Sequence, residues 1–266
     1  MALLHVSFFS EVLGMCMQMD VILPERARGQ IGMNGSLEDG KIPTLYLLHG
    51  MSDDHTIWQR RTSIERYVSE LGIAVVMPST HLGWYTNTLY GSRYFTYFTE
   101  ELPSICRNLF NNLSDKKEDT FVAGLSMGGY GAFKLALGAP QTFGMAASLS
   151  GALDLVRTTK REDLIEAKGL EYWTSIFGPL ELVKDSEHDL LYLASQLKEA
   201  GEDIPKLYFW CGTEDFLYEG NLSMKEHLSK LGCEFTFEES AGDHQWKYWD
   251  EKIQRVLEWI MEERSK

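Results

Sequence analysis

Apolar residues in this chain come in short unbroken runs separated by longer amphipathic stretches. The runs are "TLYLLHG" (44–50), "IAVVMP" (73–78), "TFVAG" (120–124), "MAASLSG" (145–151), "KLYFWCG" (206–212) and "CEFTFEES" (233–240). Runs of this length suit strands covered on both faces. Between them, residues 56–70, about 94–111, 127–138, 219–231 and 246–262 have helical periodicity. The alternation predicts an α/β fold: a mostly parallel central sheet with helices on both faces. The N-terminal "MALLHVSFFSEVLGMCMQMDVILP" instead alternates, with Gly14 at its turn, and predicts an antiparallel pair at one sheet edge. It has no basic leading segment or small-residue cleavage site, so it does not read as a signal peptide.

Two stretches stand outside the rhythm. "MNGSLEDGKIP" (33–43) predicts a polar loop between the N-terminal pair and the next strand. Residues 152–204 are polar, helical in pattern and inserted between two strands. A small cap over the sheet's edge and a long crossover both fit them. At 266 residues the chain is expected to form a single domain, 1–266.

Composition narrows the class of partner. The chain is 44% hydrophobic with no stretch of eighteen apolar residues, so no membrane partner is expected. Lys and Arg total 25 against 39 Asp and Glu, a formal charge of −14 that repels phosphate backbones and argues against nucleic acid. Cys16, Cys106, Cys211 and Cys233 lack metal-type spacing and are expected to be buried, reduced thiols, which with the missing signal points to the cytoplasm. Homo-oligomerisation is left open.

The candidate chemistry centres on "TFVAGLSMGGYGAFKLAL" (120–137), where Gly-x-Ser-x-Gly falls between a strand and a helix. A nucleophilic serine must be lifted clear of the backbone on a tight turn, and the crowding there favours glycine two positions either side. Gly124 and Gly128 occupy those positions around Ser126. The pentapeptide alone would arise by chance about 0.1 times in a chain this long, so its placement carries more weight than its letters. It matches neither G-x-G-x-x-G nor the phosphate-binding G-x-x-x-x-G-K-[ST].

A serine nucleophile on this architecture needs an acid and then a histidine later in the chain. Three histidines follow Ser126. His188 lies between Glu187 and Asp189 in the insertion, where a solvated role is expected, and His227 lies on a helix face read as exposed. His244, in the loop of "ESAGDHQWKYW", follows a strand and precedes a helix, where a general base belongs. The acid is expected just after "KLYFWCG": Asp215 first, Glu214 as the runner-up, with Asp243 too close in sequence to His244. Two backbone N–H groups complete the set as an oxyanion hole: Met127, after the serine, and Met51, after "TLYLLHG". His49 is expected to hold that loop by hydrogen bonding. "SDDH" (52–55) resembles a metal cluster but has no ligand pair at a useful spacing, so helix capping is expected and no metal. In the aromatic-rich stretch 80–98, Trp84 and Tyr85 are candidate pocket residues, as is Trp246 beside the base, while Phe95 and Phe98 are expected to pack a helix.

Taken together, "YLLHGM", "GWYTNTLYG", "FTEELP", "AGLSMGGYGAFKLAL", "SLSGALD", "WCGTEDFLYE" and "SAGDHQWKYW" resemble the esterase D-type branch of the α/β-hydrolases, above all the bacterial tributyrin esterases. The resemblance runs over nearly the whole chain. It implies an α/β-hydrolase fold and a cofactor-free serine carboxylesterase acting on small-molecule esters of short acyl chains. It carries the nucleophile to Ser126, the acid to Asp215, the base to His244 and the oxyanion donors to Met51 and Met127. The same branch includes acyltransferases that use this triad, and S-formylglutathione hydrolases, which carry a histidine beside the serine motif where this chain has "GLSMGGYG". A binding protein that keeps the shell without turnover has no chemical need for the full set.

Overall fold

A computed structural model describes all residues except 27, 28, 30 and 37–39; part of the expected loop at 33–43 thus lies outside the described residues. Among the described residues there are eight strands: β1 (Ala2–Ser10), β2 (Met15–Leu23), β3 (Thr44–Leu48), β4 (Ala74–Pro78), β5 (Thr120–Leu125), β6 (Met145–Leu149), β7 (Lys206–Gly212) and β8 (Phe235–Ser240). They form one sheet in the order β1-β2-β4-β3-β5-β6-β7-β8. β1 pairs antiparallel with β2, and β2 antiparallel with β4; every other neighbouring pair is parallel. This is an α/β-hydrolase fold.

The strand interiors are continuous apolar runs because both faces are covered. Leu45 and Leu47 of β3 pack among Trp58, Trp249 and Ile253, while Tyr46 and Leu48 pack on the other face with Phe133 and Phe143. α1 (Ile57–Arg61), α2 (Ile64–Val68) and the C-terminal α11 (Trp246–Arg264) supply the first layer. The second holds α5 (Met127–Gly138), and a helical run of α3 (Tyr94–Thr96), a π turn (Tyr97–Glu101) and α4 (Leu102–Leu109). Phe98 is fully buried in that second layer and Phe95 packs against it. Glu101 reaches back to the N-terminal pair, where its carboxylate accepts the Ser10 hydroxyl and the amide of Glu11 at 2.7 Å.

Three expectations are corrected. The helix expected at 56–70 is two helices, because the Thr62 hydroxyl donates to the Trp58 carbonyl and accepts the Ile64 amide, ending one and starting the other. Cys16, on the outer part of the sheet, is exposed and Cys233 half-buried; only Cys106 and Cys211 are fully buried, and all four are free. His188 is buried: Asp189, itself buried, caps the helix that follows, α9 (Leu190–Ala200), by accepting the Leu191 amide, and His188 packs against Thr86 and Phe177.

Residues 152–204 form α6 (Leu155–Thr158), α7 (Glu162–Lys168), α8 (Leu170–Phe177), a 3-10 turn (Leu180–Leu182) and α9 (Leu190–Ala200). Trp173, Ile176, Phe177 and Leu190 join the core on the α5 side of the sheet. The last connecting helix is α10 (Tyr218–Lys230), between β7 and β8. Among the described residues no helix is long and apolar enough to cross a membrane.

Candidate active site

The site is assembled where β3, β5, β7 and β8 end. After β5 the chain turns at Ser126, whose φ of 53° and ψ of −117° are left-handed for a residue with a side chain, and α5 begins at once. A Cβ on Gly124 would lie 2.4 Å from the Gly128 carbonyl oxygen, and one on Gly128 would lie 2.6 Å from the carbonyl oxygens of Leu48 and His49. The elbow therefore demands glycine on both sides of the serine. The Ser126 amide donates to the Leu149 carbonyl at 2.9 Å, which anchors the turn to β6.

Three side chains from distant parts of the chain meet here. His244 Nε2 lies 3.0 Å from Ser126 Oγ, and His244 Nδ1 lies 2.8 Å from Asp215 Oδ2. A carboxylate only accepts, so Nδ1 carries the proton and Nε2 is left to accept the serine hydroxyl. Asp215 is 5% exposed and its other oxygen accepts the Leu217 amide at 2.9 Å, which fixes the carboxylate edge toward the imidazole. The His244 ring sits between Phe216, at 4.5 Å between centroids, and Trp249, at 4.8 Å. In this arrangement the imidazole can take a proton from the hydroxyl while the carboxylate stabilises the resulting charge.

Glu214 does not reach the imidazole. Its carboxylate is exposed and accepts the Gly242 amide and the Thr213 hydroxyl, contacts that hold it below the usual carboxylate range. Asp243 binds the neighbouring Gln245 side chain. His227 is half-buried and within 2.9 Å of the Ser195 hydroxyl, away from the site.

The start of the loop after β3 is fastened at three successive carbonyls, those of Leu48, His49 and Gly50. The Leu48 carbonyl accepts Trp58 Nε1 at 2.9 Å, and the His49 carbonyl accepts the Tyr85 hydroxyl at 2.8 Å. His49 itself is fully buried; its Nδ1–H donates to the Gly50 carbonyl at 2.7 Å, while Nε2 accepts the Thr80 amide at 3.0 Å. Met51 follows directly, and Ser52 takes a φ of 76°. Asp54 closes the loop by accepting the Thr56 amide and hydroxyl at 2.9 and 2.6 Å. Across from it, Met127 opens α5 and is fully buried.

Burial pushes His49 down to about 4, and His188 likewise. Both stay neutral in the folded chain but become charged in the unfolded one below pH 6.5. The unfolded state then binds more protons, so stability is full above pH 6.5 and falls as pH drops toward 4. The loss from His49 is about 3 kcal/mol. Urea unfolding at pH 7 and 4.5 tests this with His49→Gln, whose amide oxygen accepts the Thr80 amide without titrating. The stability gap between wild type and variant is expected to shrink at the lower pH, and a gap independent of pH would rule the linkage out.

A small apolar cleft of about 30 Å³ adjoins Ser126. Met51, Trp84, Met127, Phe216 and Leu217 line it, and the insertion adds Thr158, Leu164 and Trp173. Of the aromatic pocket candidates, only Trp84 lines this cleft. Tyr85 is fully buried and faces the other way, its ring so close to α5 that a Cβ on Gly131 would lie 2.2 Å from it. Trp84 and Tyr85 both have left-handed φ, 51° and 55°, which sends the two neighbouring rings to different places. Trp246 meets Trp58 and Trp249 edge-to-face, one ring behind the histidine. Sequence reasoning missed Phe216, Trp249, Leu164 and Trp173. The nearness of Phe216 to Asp215 in the chain was the one available hint.

Comparison with known proteins places this geometry among esterases. A family model described as "Putative esterase" matches residues 10–260. An acetyl esterase of Caldicellulosiruptor saccharolyticus is 29% identical over 98% of each chain. Among solved structures, the fluorophosphonate-binding serine hydrolase FphF of Staphylococcus aureus, substrate bound, superposes with a TM-score of 0.86 at 37% identity, covering 97% of this chain and 98% of that one. The S-formylglutathione hydrolase FrmB of Staphylococcus aureus gives a TM-score of 0.83 at 37% identity over the same shares.

Proposed function

The chain belongs to this esterase family, and we propose that it is a serine carboxylesterase, similar to tributyrin esterases, that cleaves small esters of short acyl chains. The observation that carries the reading is the hydrogen-bonded chain Asp215–His244–Ser126 on a left-handed elbow. Ser126 Oγ attacks the ester carbonyl carbon while His244 Nε2 takes its proton. The amides of Met51 and Met127 receive the carbonyl oxygen as it becomes an oxyanion. His244 then gives the proton to the departing alcohol, and water repeats the attack on the acyl-enzyme. Asp215 keeps the imidazole in the accepting tautomer. No step calls on a cofactor.

The short-acyl reading rests on the small cleft beside Ser126 and on the likeness to an acetyl esterase. A methylene that does or does not fit a pocket is worth about 1–3 kcal/mol, roughly tenfold or more in kcat/KM. On p-nitrophenyl esters from C2 to C8, activity is expected to peak at C2 to C4 and fall about tenfold by C8. A rise through C8 would defeat the short-acyl reading. The likeness to an S-formylglutathione hydrolase supports a second reading, a thioesterase. Turnover of S-formylglutathione well above that of every oxygen ester would favour it.

A further inference from the structure

Tyr172, the third residue of α8, belongs to the insertion and not to the elements that carry Ser126, Asp215 or His244. Its hydroxyl accepts the indole N–H of Trp84 at 2.9 Å, and its own O–H lies 3.7 Å from the Met51 sulfur. One oxygen atom thus joins the aromatic wall of the cleft to the residue after Gly50. Trp84 is otherwise held by rings: Trp173 at 5.3 Å, Phe177 at 5.5 Å and Tyr130 at 5.6 Å. Those contacts fix its distance from α5 and α8 but offer its N–H nothing, so its orientation in the ring plane is set by Tyr172. Met51 is only half-buried, and its flexible side chain gains a fixed direction from the same hydroxyl.

We propose that Tyr172 is a positioning residue that sets acyl-chain selectivity, by locking the Trp84 wall and the Met51 loop in register across the insertion. The inference rests on the esterase reading above. With the hydroxyl gone, the indole N–H has no partner in an apolar setting, and the wall relaxes away from its present position. A wall that yields admits longer acyl chains, and a Met51 side chain without its fixed direction loosens the same wall and holds the short acyl group less well for attack, while the loop's backbone stays fastened at Leu48, His49 and Gly50.

The test is Tyr172→Phe, which keeps the ring and its packing against Trp173 and removes one oxygen. The kcat/KM ratio of butyrate to acetate p-nitrophenyl esters is expected to rise about threefold or more, and kcat on acetate to fall more than KM changes. Trp84→Phe removes the donor from the other side and is expected to move the same ratio the same way. In that background Tyr172→Phe should then add little, because both changes break one contact. A lower melting temperature with all esters slowed equally would make Tyr172 merely structural and overturn the proposal, as would additive effects in the double variant. Should Tyr172→Phe fail to fold, an unchanged ratio in Trp84→Phe overturns it alone. Failure of the underlying reading looks different: wild type would neither turn over p-nitrophenyl acetate nor take up a fluorophosphonate at Ser126.

Discussion

Ser126→Ala is expected to fold as the wild type does and to lose ester hydrolysis by roughly 10⁵-fold or more. The magnitude follows from the kind of group removed. Without Oγ no acyl-enzyme can form, and His244 Nε2 faces a methyl group in place of a hydroxyl. What survives is the proposed oxyanion donors and the cleft, which together would stabilise a direct attack by water only weakly. Stability should barely move, because alanine bears the left-handed φ of 53° about as poorly as serine does. Nor does the Ser126 backbone lose its bond to the Leu149 carbonyl. Kinetics on p-nitrophenyl acetate, a thermal melt and intact-mass analysis after a fluorophosphonate check the three parts. Wild type should gain one adduct at Ser126 and the variant none. Hydrolysis within tenfold of wild type in a folded variant would remove Ser126 from the chemistry.

How much of this was legible before any coordinates depends on whether a feature is set by local sequence or by a distant partner. The strands were readable because full burial on two faces writes itself as an apolar run, as in "TLYLLHG" and "KLYFWCG". The elbow was readable because backbone crowding leaves only glycine at 124 and 128. Asp215 and His244 could be placed because loops that follow parallel strands collect at one sheet edge, so topology brings them together whatever their separation in sequence. Other features depend on partners that no local pattern encodes. Tyr85 looked like a pocket residue, yet two consecutive left-handed residues turn it under the loop after β3. His188 looked solvated between two acids, but Asp189 is spent on capping α9. A cap over the sheet's edge was one of the two readings of the insertion, but which of its residues reach the cleft was not legible, since the stretch read as polar helices and the inward residues of α7 and α8, Leu164 and Trp173, carry no local mark.

Asp215→Asn is the second large effect expected, a fall in kcat of roughly 10³–10⁴-fold near neutral pH with KM little changed. The amide is nearly the shape of the carboxylate, so the bond from the Leu217 amide to Oδ1 can persist and the loop should stay in place. What reverses is the polarity facing His244. With the amide oxygen held by Leu217, the NH₂ group points at Nδ1, which must then accept and not donate. The ring proton moves to Nε2, where it meets the serine hydroxyl, and no base remains to receive the Ser126 proton. Loss of the negative charge also removes support from the imidazolium that forms during attack. Glu214→Gln provides the contrast within one loop. Glu214 lies in the open and accepts the Gly242 amide and the Thr213 hydroxyl, both of which a glutamine oxygen can still meet. Its activity should stay within about fivefold of wild type, since exposed polar contacts of this kind contribute little. Steady-state kinetics on the two variants separate the neighbouring carboxylates directly. If the order of the effects were reversed, the acid would move to Glu214, and the 2.8 Å contact between Asp215 and His244 would be a structural bond with no part in turnover.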